Sequence, residues 1–138
     1  MNPTHIEHIG FAVKDLEESI RYWEKVFGLK CYRVEEVADQ KVRTAFFRLG
    51  ATKIELLEST DPGGPIGKFI EKRGEGMHHI AFAVDDVQAA LEQATENNIA
   101  LIDKVPRAGA EGLQIAFLDP RSTYGVLTEL CATPKPDK

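Results

Sequence analysis

Cysteine is scarce in this 138-residue chain. The two present, Cys31 and Cys131, lack the spacing of a zinc ribbon or a redox pair, so a disulfide scaffold is excluded and both read as reduced thiols in or near the core. A cytoplasmic setting is the default expectation for such a chain. Long apolar runs are missing too. No stretch approaches the ~18 residues a membrane span needs, and Met1-Asn2-Pro3-Thr4-His5 has neither the basic nor the apolar region of a signal peptide. No membrane partner is expected. Positive charge is in the minority, with a formal net charge of -5, which argues against nucleic acid because a duplex wants a basic face. It leaves room for a phosphorylated small ligand, which needs only a local basic cluster. What is present is ordinary for a soluble globular protein, at 43% hydrophobic and 28% charged residues. A chain of this length makes one compact domain, or two half-sized modules fused through a shared core.

One eight-residue phrase occurs twice. His8-Ile9-Gly10-Phe11-Ala12-Val13-Lys14-Asp15 returns as His79-Ile80-Ala81-Phe82-Ala83-Val84-Asp85-Asp86 at an offset of 71 residues (79 minus 8). A unit this long, present only twice, reads as two copies of one small module rather than a solenoid. The phrase alternates as a strand does. Ile9, Phe11 and Val13, like Ile80, Phe82 and Val84, form a bulky face suited to packing against helices. His8, Gly10 and Ala12, like His79, Ala81 and Ala83, form a face with space beside the imidazole, as a pocket-lining strand would.

Along the chain, a first strand at about Ile6 to Val13 leads to Asp15, an N-cap with Glu18 three residues on. A helix with Leu16, Ile20, Trp23 and Phe27 on its inner stripe ends at Gly28. Strands are expected at about 30–37, 42–49 and 53–58. Ser59 to Gly67 is a connector whose Gly63-to-Lys68 run resembles a phosphate loop imperfectly: the first glycine is one position late and Phe69 replaces the Ser or Thr. A short helix over 66–72 is the better reading. The second module repeats the plan, with a strand at 77–84, a helix capped by Asp85 or Asp86 with Val87, Leu91 and Ala94 inside, a left-handed exit at Asn98, and strands within 101–105, 113–118 and 126–131. Residues 133–138 should fray. The fold class is therefore α+β: two tandem βαβββ modules forming a curved mixed sheet around a metal-binding cleft. The chain reads as a single domain, with module one at about 5–59, the connector at about 60–75 and module two at about 76–132.

The last strands of the modules also correspond. Lys53-Ile54-Glu55-Leu56-Leu57 matches Leu127-Thr128-Glu129-Leu130-Cys131, and each central glutamate is flanked by aliphatic residues. A buried carboxylate is costly without a partner. Two at equivalent places ask for a shared one. If the modules pair about a pseudo-two-fold axis, His8, Glu55, His79 and Glu129 converge, and two imidazoles with two carboxylates suit one divalent ion such as Co, Mn, Zn, Ni or Fe. His78 should point away from His79 and play a supporting part. His5 reads as terminal and exposed.

These residues resemble the vicinal-oxygen-chelate (glyoxalase/bleomycin resistance/dioxygenase) superfamily from Ile6 to about Ala132. The local phrases look most like its methylmalonyl-CoA epimerase branch: the first-strand phrase, Thr52 to Leu57, Lys72 to Phe82 with Gly74 to Phe82 the most specific, and Pro120 to Leu130. The resemblance implies a divalent-metal enzyme, with His8, His79 and Glu129 matching metal positions and Glu55 at a position that is Gln or Glu. It implies an isomerase that epimerises an acyl-CoA thioester through an enolate, and a homodimer. Three positions depart from the pattern. Thr44 stands where some members carry a catalytic glutamate, Asp119 and Arg121 replace a common His and Lys, and Glu111 interrupts a glycine-rich loop. On this reading Glu129 and Glu55 are the two bases. Arg107 and Arg121, with Lys68, Lys72, Arg73 and Lys104, are candidate cations for phosphate, and Ser122 and Gly125 are candidate donors to a carboxylate. The rival expectations are a glyoxalase I-like lactoylglutathione lyase, a ring-cleaving dioxygenase, and a metal-free binding protein that sequesters a drug.

Overall fold

The computed structural model describes residues 1–134, so the expected fraying of 135–138 lies outside the described residues. The chain divides into two compact units, His8–His78 and Met1–Glu7 with His79–Lys138. Neither has a helix long and apolar enough to cross a membrane among the described residues.

The first unit is built from β1 (His5–Ala12), α1 (Leu16–Phe27), β2 (Cys31–Val37), β3 (Val42–Leu49), β4 (Thr52–Ser59) and α2 (Pro65–Arg73). Its strands lie in the order β2-β3-β4-β1, with β1 parallel to β4 and the other pairs antiparallel. Helix α1 starts where expected: the Asp15 carboxylate accepts the Glu18 N–H at 3.0 Å. Gly28 ends it at φ 65°, a left-handed turn that costs glycine least. Leu16, fully buried, packs with Val13, Ala45, Phe47, Ile54 and Leu56, and Ile9, Phe11, Ile20 and Trp23 close over them. This is the bulky face of β1, covered by α1 as its alternation requires. Phe27 differs from expectation. It is 56% exposed, its ring tilted against Trp23 at a centroid separation of 4.9 Å instead of entering the core.

The opposite face of the same sheet is graded. Ala12, Val42 and Leu57 are sealed by Ile66 and Phe69 of α2, so the small residue at position 12 makes room for a helix, not for a pocket. Gly67 allows that helix to sit down: a Cβ there would lie 2.7 Å from the Pro62 carbonyl oxygen. The Gly63-to-Lys68 run is thus a helix entry, with Gly64 at the N-cap and Pro65 in the first turn.

The second unit holds β5 (Gly76–Ala83), α3 (Val87–Glu96), β6 (Arg107–Ala108), β7 (Gln114–Leu118) and β8 (Thr128–Ala132), ordered β5-β8-β7-β6. Asp86 is the cap of α3, accepting the Ala89 N–H at 3.1 Å, and Asn98 makes the left-handed exit at φ 61°. Val87, Ala90, Leu91 and Ala94 pack on Ala116, Leu118, Leu130 and Ala132. The N-terminal residues join this unit through the Thr4 N–H, which donates to the Ala83 carbonyl at 2.9 Å. The strand expected within 101–105 is not formed. Leu101 makes a single bridge to Leu118, and then the Asp103 carboxylate accepts the Phe117 N–H at 2.8 Å. That side chain takes the place a strand carbonyl would fill, and ladder pairing resumes only at β6, where no strand is expected from sequence.

Candidate metal and acid-base site

In a paired sheet, side chains of directly opposed residues share a face. In the first unit Gly10 opposes Glu55 on β4, and Glu55 opposes Phe46 on β3. His8 opposes Lys53, two residues before Glu55, so His8, Lys53, Glu55 and Phe46 share one face. It is the continuation of the face that α2 seals at Ala12 and Leu57. Beyond the helix it turns from apolar to polar. His8 is 4% exposed and Glu55 5%, and the His8 Nδ1 lies 3.2 Å from the Glu55 Oε2.

The second unit repeats the arrangement. Ala81 opposes Glu129, which opposes Phe117. His79 and Glu129 are as deeply buried as their counterparts, and the His79 Nε2 lies 3.4 Å from the Glu129 Oε1. The edge of the Phe117 ring meets the His79 ring at a centroid separation of 5.7 Å. Ala81 packs with Ile115, Phe117 and Cys131, so this small residue, like Ala12, serves packing.

The separations of 3.2 and 3.4 Å test whether these pairs suit a metal. A charge-assisted N–H···O bond closes to about 2.7–2.9 Å. Two neighbouring ligand atoms on one ion, each bonded at about 2.0–2.2 Å, stand about 3.0–3.5 Å apart. Both separations fall in that ligand range while remaining within ion-pair reach. Imidazole nitrogen with carboxylate oxygen is a donor set for Zn, Co, Ni, Mn or Fe(II). The residues fit a divalent ion.

The remaining candidates fall as follows. The Arg107 guanidinium lies 5.6 Å from the centroid of the Phe117 ring, on the Glu129 face, and its Nε is 3.2 Å from an Asp103 oxygen. Arg121 is exposed and grips Asp119 through two bonds, at 3.1 and 2.8 Å. That pairing raises the arginine pKa and lowers that of the aspartate. The Ser122 hydroxyl oxygen accepts the Ala100 N–H at 2.8 Å, which fixes its position and leaves its proton to donate. Gly125 turns at φ 83°, its N–H held by the Pro120 carbonyl. Thr44 is buried and opposes Leu57 on the Glu55 face, with no group able to move a proton near neutral pH. Glu111 adopts φ 57°, the conformation that explains glycine's usefulness in that loop. His78 packs edge-on against Phe69 at 4.9 Å, and burial lowers its pKa to about 4.

Three site residues went unassigned in the sequence reading. Phe46 and Phe117 carry the same 71-residue offset as the histidines (117 minus 46), a signal that was available. Lys53 could have been placed by alternation alone, since it stands two residues from Glu55 on a strand.

Comparison with known proteins supplies the frame. Residues 7–117 match the Glyoxalase/Bleomycin resistance protein/Dioxygenase superfamily. The chain is 43% identical over 133 residues to the uncharacterized protein YqjC of Bacillus subtilis, covering 96% of this chain and 94% of that one. It is 36% identical over 126 residues to a mitochondrial methylmalonyl-CoA epimerase of Dictyostelium discoideum, covering 91% and 76%. A solved methylmalonyl-CoA epimerase in complex with methylmalonyl-CoA and NH4+ superposes with a TM-score of 0.93 at 35% identity, covering 96% of each chain. The duplicated strand–helix–strand plan and these matches lead to one assignment: this chain belongs to the glyoxalase/bleomycin resistance/dioxygenase superfamily and, within it, to the methylmalonyl-CoA epimerase family.

Proposed function

We propose that this protein epimerises a methylmalonyl-CoA-like acyl-CoA thioester by moving a proton at the carbon between two carbonyls. The observation that carries the reading is the duplicated, buried imidazole–carboxylate pair with ligand spacing, His8 with Glu55 and His79 with Glu129. On this proposal the four side chains hold one divalent ion, Co, Mn, Zn or Ni. The ion supplies Lewis-acid stabilisation of negative charge developing on oxygen. The protein supplies the rest. Inversion at carbon needs an acid-base group on each side of it. Either glutamate would be able to leave the ion during turnover: Glu129 in its ionised form takes the proton from one face, the C–H electron pair moves toward the thioester oxygen, and Glu55, protonated when off the ion, returns a proton to the other face. Thr44, where some relatives carry a glutamate, cannot fill this role, which leaves Glu55 the carboxylate equivalent to Glu129. Arg107, over the Phe117 ring, and Arg121 offer charge to the CoA phosphates, and the Ser122 hydroxyl is a donor for a carboxylate, whereas the Gly125 N–H is already spent on the Pro120 carbonyl. A homodimer is the proposed assembly.

Glu129→Gln keeps the shape and removes the base. It should abolish deuterium exchange at the reacting carbon in heavy water, and full retained exchange would end the assignment. A glyoxalase I-like reaction is the second reading, favoured by a carboxylate in both pairs. Racemisation of methylmalonyl-CoA set against isomerisation of the glutathione hemithioacetal separates the two.

A further inference from the structure

The break in the strand near Leu101 brings an arginine to the Glu129 face. The Phe117 carbonyl accepts the Ile102 and Asp103 N–H groups at 3.0 and 3.2 Å, and the Phe117 N–H donates to one Asp103 oxygen at 2.8 Å. The other Asp103 oxygen stands 3.2 Å from the Nε of Arg107, four residues on. Asp103 thus holds Phe117 with one oxygen and Arg107 with the other, and the guanidinium rests 5.6 Å from the Phe117 ring centroid. The first unit shows that the module does without this device. Phe46 corresponds to Phe117 (offset 71), and there β2 passes as a strand, with Arg33 opposing Phe46 and the Tyr32 ring 5.9 Å from it. Phe46 also meets a cation, but Lys53 reaches it from β4, buried within the sheet. The second unit gives up strand pairing and sets there an arginine whose side chain is 41% exposed. A partly exposed ion pair contributes little to stability, so the Asp103–Arg107 pair does not by itself account for the broken strand. Asp103 takes the Arg107 Nε. The two terminal nitrogens have no hydrogen-bond partner among the described residues, and a guanidinium fork matches two oxygens of a phosphate.

We propose that Asp103 is a positioning residue that fixes the Arg107 guanidinium over Phe117, so that its terminal nitrogens read the phosphates of a CoA thioester. This deepens the epimerase reading and rests on it for the class of ligand. Exposure decides which end of the ligand Arg107 meets. The reacting carbon has to reach Glu129, which is 4% exposed, while phosphates stay in contact with water, as Arg107 does. The Asp103 charge by itself repels phosphate, so its contribution is geometric. An arginine already held in one arrangement loses less side-chain freedom when the ligand binds.

The test is calorimetric binding of propionyl-CoA and of propionyl-pantetheine, the same thioester without nucleotide and phosphates. Wild type should hold propionyl-CoA the tighter by about tenfold or more, and Arg107→Gln should remove most of that preference. Asp103→Asn keeps an oxygen for the Phe117 N–H and puts an N–H donor where Arg107 needs an acceptor. Charge alone predicts that removing this anion strengthens propionyl-CoA binding. Positioning predicts the opposite sign, a loss of about threefold or more with propionyl-pantetheine unmoved. Stronger or unchanged propionyl-CoA binding in Asp103→Asn overturns the proposal. So does an equal loss for both thioesters, which marks a structural role, or a wild type with no preference between them. Arg107→Lys keeps the charge and lacks the Nε that Asp103 holds, so it should lose affinity for propionyl-CoA in the same way. If Asp103→Asn does not fold, this variant decides, and wild-type affinity in it overturns the proposal. The two readings fail separately. Wild type and variants that follow these signs without epimerising methylmalonyl-CoA sink the activity and keep Asp103. Wild type that epimerises, with propionyl-CoA affinity unmoved in both Asp103→Asn and Arg107→Lys, does the reverse.

Discussion

The four histidines divide by environment more than by chemistry. His5 is exposed, His8 and His79 are each buried beside a carboxylate, and His78 is half-buried against a phenyl ring with its pKa lowered to about 4 by desolvation. The sign of the last effect is definite. The unfolded chain takes up a proton at about 6.5 and the folded chain only near 4, so the unfolded state binds more protons in that window. The stability that neutral His78 contributes is complete above pH 6.5 and falls away as pH drops toward 4. His78→Phe keeps the ring and cannot be protonated. Urea unfolding at pH 7.5 and pH 5 should show wild type losing about 1–2 kcal/mol relative to the variant. Equal losses in both proteins would mean that His78 is protonated in the folded state. The same scale separates the two cations on aromatic rings. Arg107 is exposed and paired with Asp103, so screening makes its truncation mild, while Lys53 is buried, where screening is weaker.

At the scale of elements, α1 is tied to its sheet at its first turn. Asp15 caps α1 from within the chain, and Glu58 of β4 adds a second acceptor, taking the Leu16 N–H at 2.8 Å. Arg43 of β3 bridges Glu58 and Glu17, and the bond to Glu17 raises the arginine pKa. Asp15→Ala should cost about 1 kcal/mol in chemical unfolding with an unchanged denaturant slope. A loss below a few tenths would show that Glu58 suffices as the cap. Elements are also where sequence reasoning succeeded and failed for identifiable reasons. Both caps, the left-handed turns at Gly28 and Asn98, and the inner stripe of α3 are encoded within a few residues of chain and were legible. The strand near Leu101 was not formed, because Asp103 satisfies an N–H that local pattern assigns to a neighbouring strand. Such a substitution depends on a residue fourteen positions away and leaves no periodic trace.

At the scale of the molecule, duplication is the governing fact. Two units of the same plan each bring one imidazole and one carboxylate to ligand spacing, which one ancestral module used twice would do. If the four side chains share one ion, the ion binds the folded chain and not the unfolded one. Saturation at about a thousand times the dissociation constant then adds about 4 kcal/mol, a rise in melting temperature on the order of 10 °C for a chain of this size. Scanning calorimetry of chelated protein with and without added Co, Mn, Zn or Ni should show that rise, and His79→Ala should lose it. An unchanged melting temperature with every ion would remove the metal from the proposal and bring a metal-free binding role forward.

Alternation, capping residues and the repeated phrase are properties of neighbouring residues, so they determined the βαβββ plan, the helix faces and the candidate quartet before any coordinates. Other features were decided only in three dimensions: the 3.2 and 3.4 Å donor spacings, the closing of Ala12 and Ala81 into packed clusters, the halt of the sixth strand and the burial of Lys53. Each depends on which residue of one strand stands opposite which residue of another. Register is set by the packing of whole faces, and no short stretch of chain carries that information.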